Sequence, residues 1–446
     1  MKKNILGCLL ALSLPVLAGS AFADCIKGDC TDGVGVKENR DGSTYDGHFR
    51  GGLYNGQGIR SYPNGTKYVG MWENNKQHGK GTFTYLDGST YEGEFVGGDI
   101  QGKGTRTYAD GSKFEGQFQG GEPVGKGTYV YPSGIKFAGE FTNGKKNGQG
   151  TLTTPDGSTY AGQWKDDRFD GKGVLTLAGR FVHDGQFAAN QATGRGKRTF
   201  QNGDIYDGDW TSGKKNGQGS FTFKDGAVCA GQWKDGQLAG QGNCTYADGS
   251  VYKGNFDKGL FDGQGLLTLK DGTKYEGQFA AGLFNGQGVF ASSLGVYTGQ
   301  YKQGLRDGDG SLTTTDGRKY QGRWAVNQLQ GHGVYTLKNG TVYDGEFKQG
   351  RLEGQGAFSG AGEKYVGHFS QNRMDGKGAY NFSGGDSYTG QWKDGRMNGP
   401  GSYAFADGGK YTGDFENNGI DGQGTYTAAN GEKSAGTWKN NTRVGR

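Results

Sequence analysis

Apolar material is scarce in this chain: only 32% of its 446 residues are hydrophobic. That is poor provision for one large globular core at this length. Long hydrophobic runs are scarcer still. Ile5 to Leu17 is the one candidate, and it is too short to cross a membrane. A dominant charge is missing too, since 50 Lys and Arg stand against 45 Asp and Glu. A balance of +5 gives no footprint for nucleic acid. Cysteine and histidine, five of each, are equally sparse.

The short apolar run has the form of a leader. Lys2 and Lys3 precede it, and Ala21-Phe22-Ala23 matches the small-x-small cleavage rule, so residues 1–23 read as a secretory signal peptide. A lipoprotein anchor would need small residues directly before Cys25, where Phe22-Ala23-Asp24 stands instead. Cleavage lowers the formal charge from +5 to +3 and removes Cys8. Cys25, Cys30, Cys229 and Cys244 remain, an even number that suits an oxidising compartment, the periplasm or the outside of the cell.

What the chain does have is glycine, 94 residues of it, beside 25 Tyr and 25 Phe. A disordered glycine linker would not carry so many rings. The rings and glycines fall into register. Starting from Tyr45, an anchor recurs every 23 residues to Ser434, shortened twice to 22, and Tyr or Phe fills it except at His183, Cys229 and Ser434. Two positions on stands glycine, four on an aromatic, and glycine again at eleven and thirteen.

Each copy reads as a β-hairpin. Tyr-x-Gly-x-aromatic alternates with period two, a polar loop such as Glu73 to His78 follows, and Gly-x-Gly opens a second strand. An Asp-Gly or Asn-Gly turn returns the chain to the next anchor, and both 22-residue spacings lose their residue there, around Ser292–Gly295 and Ser359–Gly362. We expect position +4 to face +13, so that each +4 ring lies over a glycine. That pairing puts Cys244 one diagonal step from Cys229, about 7 Å between Cα atoms, near the limit for a bridge. Three connectivities exist for four cysteines. Pairing within one repeat favours Cys229–Cys244 and leaves Cys25–Cys30.

These columns resemble the MORN repeat (membrane occupation and recognition nexus): Tyr-x-Gly-x-Trp/Phe, a short loop, Gly-x-Gly, an aromatic strand and Asp-Gly. The resemblance covers residues 41–446 as 18 copies, the last truncated, after a short segment 24–40 that holds Cys25 and Cys30. It implies an all-β fold, an elongated single-layer antiparallel sheet of stacked hairpins forming a solenoid-like rod. It also implies a scaffold, a dimerisation arm or a membrane-proximal module. Family members often carry a catalytic domain beside the repeats, and none is expected in these 446 residues, where the repeats fill 41–446.

Chemistry-bearing motifs are absent. His48, His78, His183, His332 and His368 show no metal-ligand spacing, the recurrent Gly-x-Gly has a structural reason, and no nucleophile elbow occurs. We therefore expect no catalytic, metal or cofactor site. The aromatic columns are the candidate binding surface: Tyr45, Phe49, Tyr68, Trp72, Tyr91, Phe95, Tyr160, Trp164, Tyr206, Trp210, Trp233, Tyr320, Trp324, Tyr388 and Trp392. Exposed apolar strips of that kind bind partners. The expectation is an exported, noncatalytic scaffold at the cell envelope that binds proteins or self-associates as a homodimer. The alternative is a module that recognises membrane lipid headgroups or envelope glycan through an aromatic groove.

Overall fold

The computed structural model describes residues 24–445, so the expected signal peptide lies outside the described residues. Among them there is no helix, and every regular element is a strand. They form two compact units, one running to Gln201 and including Thr211–Gly213, the other comprising Asn202–Trp210 and the chain from Lys214 onward. In the first, sixteen strands from Asp24–Gly28 to Gln191–Phe200 follow one another, each antiparallel to the next. In the second, the same up-and-down order runs from Lys214–Thr222 to Thr442–Gly445. Each unit is an open, all-β antiparallel sheet of stacked hairpins.

The strands Thr90–Val96 and Asp99–Thr107 show why this sequence makes this hairpin. Tyr91 and Phe95 are buried while Glu92, Glu94 and Val96 are exposed, the period-two pattern of a strand with one covered face. The polar loop expected between the strands shrinks to two residues. In the neighbouring hairpin Glu73 pairs with Lys76, leaving only Asn74 and Asn75, both at positive φ (50° and 67°). That geometry matches the twist of antiparallel strands, and asparagine tolerates it. The return is longer, closed by Tyr85 N–H donating to the Ser89 carbonyl at 2.8 Å.

The expected +4/+13 pairing is corrected. Gly93 faces Gly104 and Phe95 faces Ile100, so +2 meets +13 and +4 meets +9. Between these pairs the second strand carries extra residues, a bulge, and Gly102 at its centre has φ +74°. The +11 glycine is therefore demanded by backbone conformation. The +2 and +13 glycines are demanded by space, and the ring over them is the anchor. A Cβ on Gly104 would come within 2.5 Å of the Tyr91 ring.

The bulge leaves the +3 carbonyl outside the ladder, and the anchor hydroxyl takes it. Tyr91 Oη donates to the Glu94 carbonyl at 3.1 Å, and the same bond recurs from Tyr45 to Tyr411. Side chains at +3 answer the other orphan of the bulge. Gln163 Oε1 accepts from Lys172 N–H at 2.9 Å, and Asp209 Oδ2 accepts from Gln218 N–H at 2.9 Å. Where +4 is tryptophan, its indole N–H reaches the +13 carbonyl of the preceding repeat, as from Trp164 to Gly150 at 3.1 Å.

At both short spacings the return turn contracts to two residues, with Ser292 facing Gly295 and Gly360 facing Glu363, and the glycine register continues undisturbed. The segment before Tyr45 also joins the sheet: Val34–Glu38 pairs with Thr44–Arg50, and Gly35 faces Gly47 as +13 faces +2 elsewhere. Two disulfides are formed. Cys25–Cys30 ties the first strand to its turn, with Cα atoms 5.8 Å apart. Cys229 and Cys244 face each other directly at 4.1 Å, not across a diagonal, because the bulge moves the register by two residues.

Candidate interaction surface

The aromatic columns lie inside the sheet. Tyr45, Tyr68, Tyr91, Tyr160, Tyr206 and Tyr388 have no exposed area, and Phe49, Trp72, Phe95, Trp164, Trp210, Trp233, Trp324 and Trp392 are buried. In most repeats the anchor ring meets the +4 ring of its own repeat and that of the next edge-on: Tyr91 to Phe95 at 5.2 Å and to Phe118 at 5.0 Å. Edge-to-face contacts of this kind suit the ring quadrupoles and form a core running through a single layer. Burial pushes the Tyr91 phenol up to about 12, so it stays a neutral donor to its carbonyl.

Tyr320 departs from the column. Its ring is half-buried and stacks on Tyr335 at 4.3 Å, and Tyr343 likewise lies toward Phe358 at 5.3 Å. At the other exceptions different side chains fill the place of the ring. His183 is fully buried over Gly185 and Gly196, edge-on to Phe187 at 5.3 Å and directly opposite Arg198. Burial, and then the Arg198 charge, push the imidazole down to about 4. At Cys229 the disulfide takes the space, with Phe256 and Leu238 closing over Gly242. His78 lies 3.4 Å from Glu73 and His332 2.9 Å from Asp344, both on the surface. Among the described residues no group of three or more His, Cys, Asp or Glu is placed to hold a metal ion.

Rings that solvent reaches lie further along the second strand and into the return turn, at +15 and +17. Phe83 and Tyr85 pack at 4.7 Å and Tyr129 and Tyr131 at 4.6 Å, while in the pair Phe221 and Phe223, at 4.7 Å, only Phe223 is exposed. In the first unit cations stand among them: Arg60 over Tyr62 at 4.6 Å, and Arg106 at 5.0 Å from both Tyr85 and Tyr108. This row was missed among the candidate residues named above. The signal was there, since Tyr62, Tyr85, Tyr108 and Tyr131 recur at the same 23-residue interval. In the second unit the shortened turn at Leu294 opens a hollow of about 770 Å³ lined by Phe284, Phe290, Tyr297 and Arg306.

Stacked hairpins with anchor tyrosine, paired glycines and +4 ring are the features on which family membership turns. The MORN repeat model matches seventeen consecutive segments, from residues 45–67 to 411–433. The chain belongs to the MORN repeat family. No curated protein matches it. Solved structures with some likeness include a mutant TCP10 domain of Danio rerio CPAP, at 13% identity and a TM-score of 0.27, covering 48% of this chain and 94% of that one. The SAS-4 (dCPAP) TCP domain of Drosophila melanogaster, in complex with a proline-rich motif of Ana2 (dSTIL), gives 11%, 0.18, 55% and 99% in the same order. Virginiamycin B lyase from Staphylococcus aureus gives 9%, 0.12, 73% and 99%. At such scores none of the three bears on what this MORN protein binds or does.

Two disulfides in a MORN array of this kind suggest an oxidising, extracellular setting. No helix among the described residues is long and apolar enough to cross a membrane.

Proposed function

We propose that this MORN protein is a noncatalytic, exported scaffold that binds other proteins, or a second copy of itself, at the cell envelope. One observation carries the reading. The side chains that recur in every repeat are consumed inside the sheet, while those that recur at its surface form long regular rows. Anchor rings cover glycines, anchor hydroxyls cap bulge carbonyls, and +3 side chains cap bulge amides. The +17 rings, half-buried or exposed, repeat along the stack, and an extended repetitive surface of this kind suits an extended partner better than a small substrate. The two disulfides support an exported location.

Size-exclusion chromatography with light scattering tests self-association, and cross-linking in the intact cell envelope identifies bound proteins. A strictly monomeric chain with no cross-linked protein would overturn the proposal. Sedimentation with liposomes and peptidoglycan tests the lipid or glycan alternative. The buried columns argue against the aromatic groove that this alternative needs, so we expect no co-sedimentation.

A further inference from the structure

Four consecutive repeats of the first unit place tyrosine at the start of the return turn: Tyr62, Tyr85, Tyr108 and Tyr131. Their backbones are held alike, each N–H donating across its turn at 2.8–2.9 Å, to Thr66, Ser89, Ser112 and Ile135. All four tyrosines are half-buried. One repeat advances two strands, so successive rings are about 9.6 Å apart along the stack.

That spacing selects among chain conformations. A polyproline II helix turns once in three residues and rises about 9.3 Å in doing so. An extended β-strand repeats its side-chain direction every 6.6–6.8 Å, and an α-helix has a pitch of about 5.4 Å. Of the three, polyproline II alone offers an equivalent side chain to each successive tyrosine. Aromatic rows are also the surfaces on which such helices dock, because the preformed helix loses little entropy on binding.

The charge along the row narrows the partner further. Arg60 is engaged by Asp41 at 2.9 Å, and Lys146, beside Tyr131, by Asp167 at 3.3 Å. Arg106, between Tyr85 and Tyr108, has no such partner: among the described residues it makes no ion pair, and its buried Nε has no hydrogen-bond acceptor. Asp87 feels its charge from outside ion-pair distance. A guanidinium flanked by two rings and short of acceptors is matched by a carboxylate.

We propose that this tyrosine row is a docking ledge for a proline-rich, acidic segment of a partner protein, bound as a polyproline II helix that runs along the row with one turn per tyrosine and a carboxylate on Arg106. The inference rests on the protein-binding reading above and names the chemistry of the partner.

The test is fluorescence anisotropy of the full chain with a labelled peptide of four Pro-Pro-Glu triplets in 50 mM salt. Saturable binding is expected, weakened about tenfold by Arg106→Gln and about tenfold by Tyr108→Ala, the scale of a central contact. Tyr246→Ala, at the same repeat position in the second unit, leaves the affinity unchanged. Arg106→Glu, with its folded state checked by circular dichroism, reverses the preference toward a peptide of Pro-Pro-Lys triplets. Four Gly-Gly-Glu triplets, which keep the charge and lose the helix, bind at least tenfold more weakly. Failure of the Pro-Pro-Glu peptide to saturate below 1 mM overturns the inference, as does equal binding of the lysine or glycine peptide. Unchanged affinity in Arg106→Gln does the same. Phosphatidylglycerol vesicles bound through Arg106 with no peptide binding would assign the row to a lipid surface and also overturn it. A dimer or a cross-linked protein that persists when the peptide fails sinks the ledge alone, and the scaffold reading stands.

Discussion

Tyr91 does three things at once: its ring covers the Gly93–Gly104 pair, its edge contacts hold two +4 rings, and its hydroxyl caps Glu94. These functions separate by substitution. Tyr91→Phe loses only the hydroxyl bond and should cost about 1 kcal/mol, whereas Tyr91→Ala opens a cavity over the glycines and should cost about 3–5 kcal/mol. Native-state hydrogen exchange of the Glu94 and Gly104 neighbourhoods measures both, and equal losses would show the hydroxyl to be decisive. The anchors Phe114 and Phe137 already live without that bond.

At the same scale His183 gives a pH dependence. Its folded value of about 4 lies below the ordinary 6.5 because burial and Arg198 disfavour the cation. Between those values the unfolded repeat binds a proton that the folded one refuses. Stability therefore falls as pH drops from about 6.5 and levels off below about 4, a loss of order 3 kcal/mol. Protection factors in the strand Phe181–Ala188 should decline through that window in the wild type and stay flat in His183→Tyr. A flat wild-type profile would count against the buried neutral imidazole.

At the scale of the element, the two-residue turn sets the hairpin and accepts whatever residue the sequence puts there, at a cost. Val326 holds φ 49°, a conformation that a β-branched side chain adopts only with strain, and its side chain is exposed. Val326→Asn should therefore stabilise its hairpin by about 1 kcal/mol, read as slower exchange in Lys319–Ala325 and Gln328–Thr336. No gain would mean that the valine packs usefully on the surface. The hairpin itself, its strand faces and its return turn were legible in the sequence, because period-two alternation and Asp-Gly signals are local. The bulge was not. A glycine needed for positive φ at Gly102 and one needed for space at Gly104 are the same letter, so counting across the turn placed the wrong ring over Gly104 and set Cys229 a step away from Cys244.

At the scale of the molecule, stability is a chain of nearest-neighbour terms, since the anchor rings touch only their own repeat and the ones beside it. Phe95→Ala should raise exchange in Thr90–Val96 and the strands beside it while Lys410–Glu416 keeps its protection. Loosening spread evenly from end to end would instead reveal one cooperative core. Locality also explains why the chain manages with so little apolar material: a single layer needs only enough rings to cover its own glycines.

The 23-residue period by itself determined the all-β class, the hairpin as the building block and membership of the MORN family, because each depends on residues close in sequence and repeated many times. Tertiary structure alone decided which faces remain free. The anchor and +4 columns that read as an open groove are closed upon one another, since a bulge carries each ring over a glycine pair and against the ring of the next repeat. The +17 tyrosines, indistinguishable in composition from the buried ones, stay half-exposed because the return turn lies beyond the reach of that packing. Register, which depends on pairing between strands and not on the order of residues along one, made the difference.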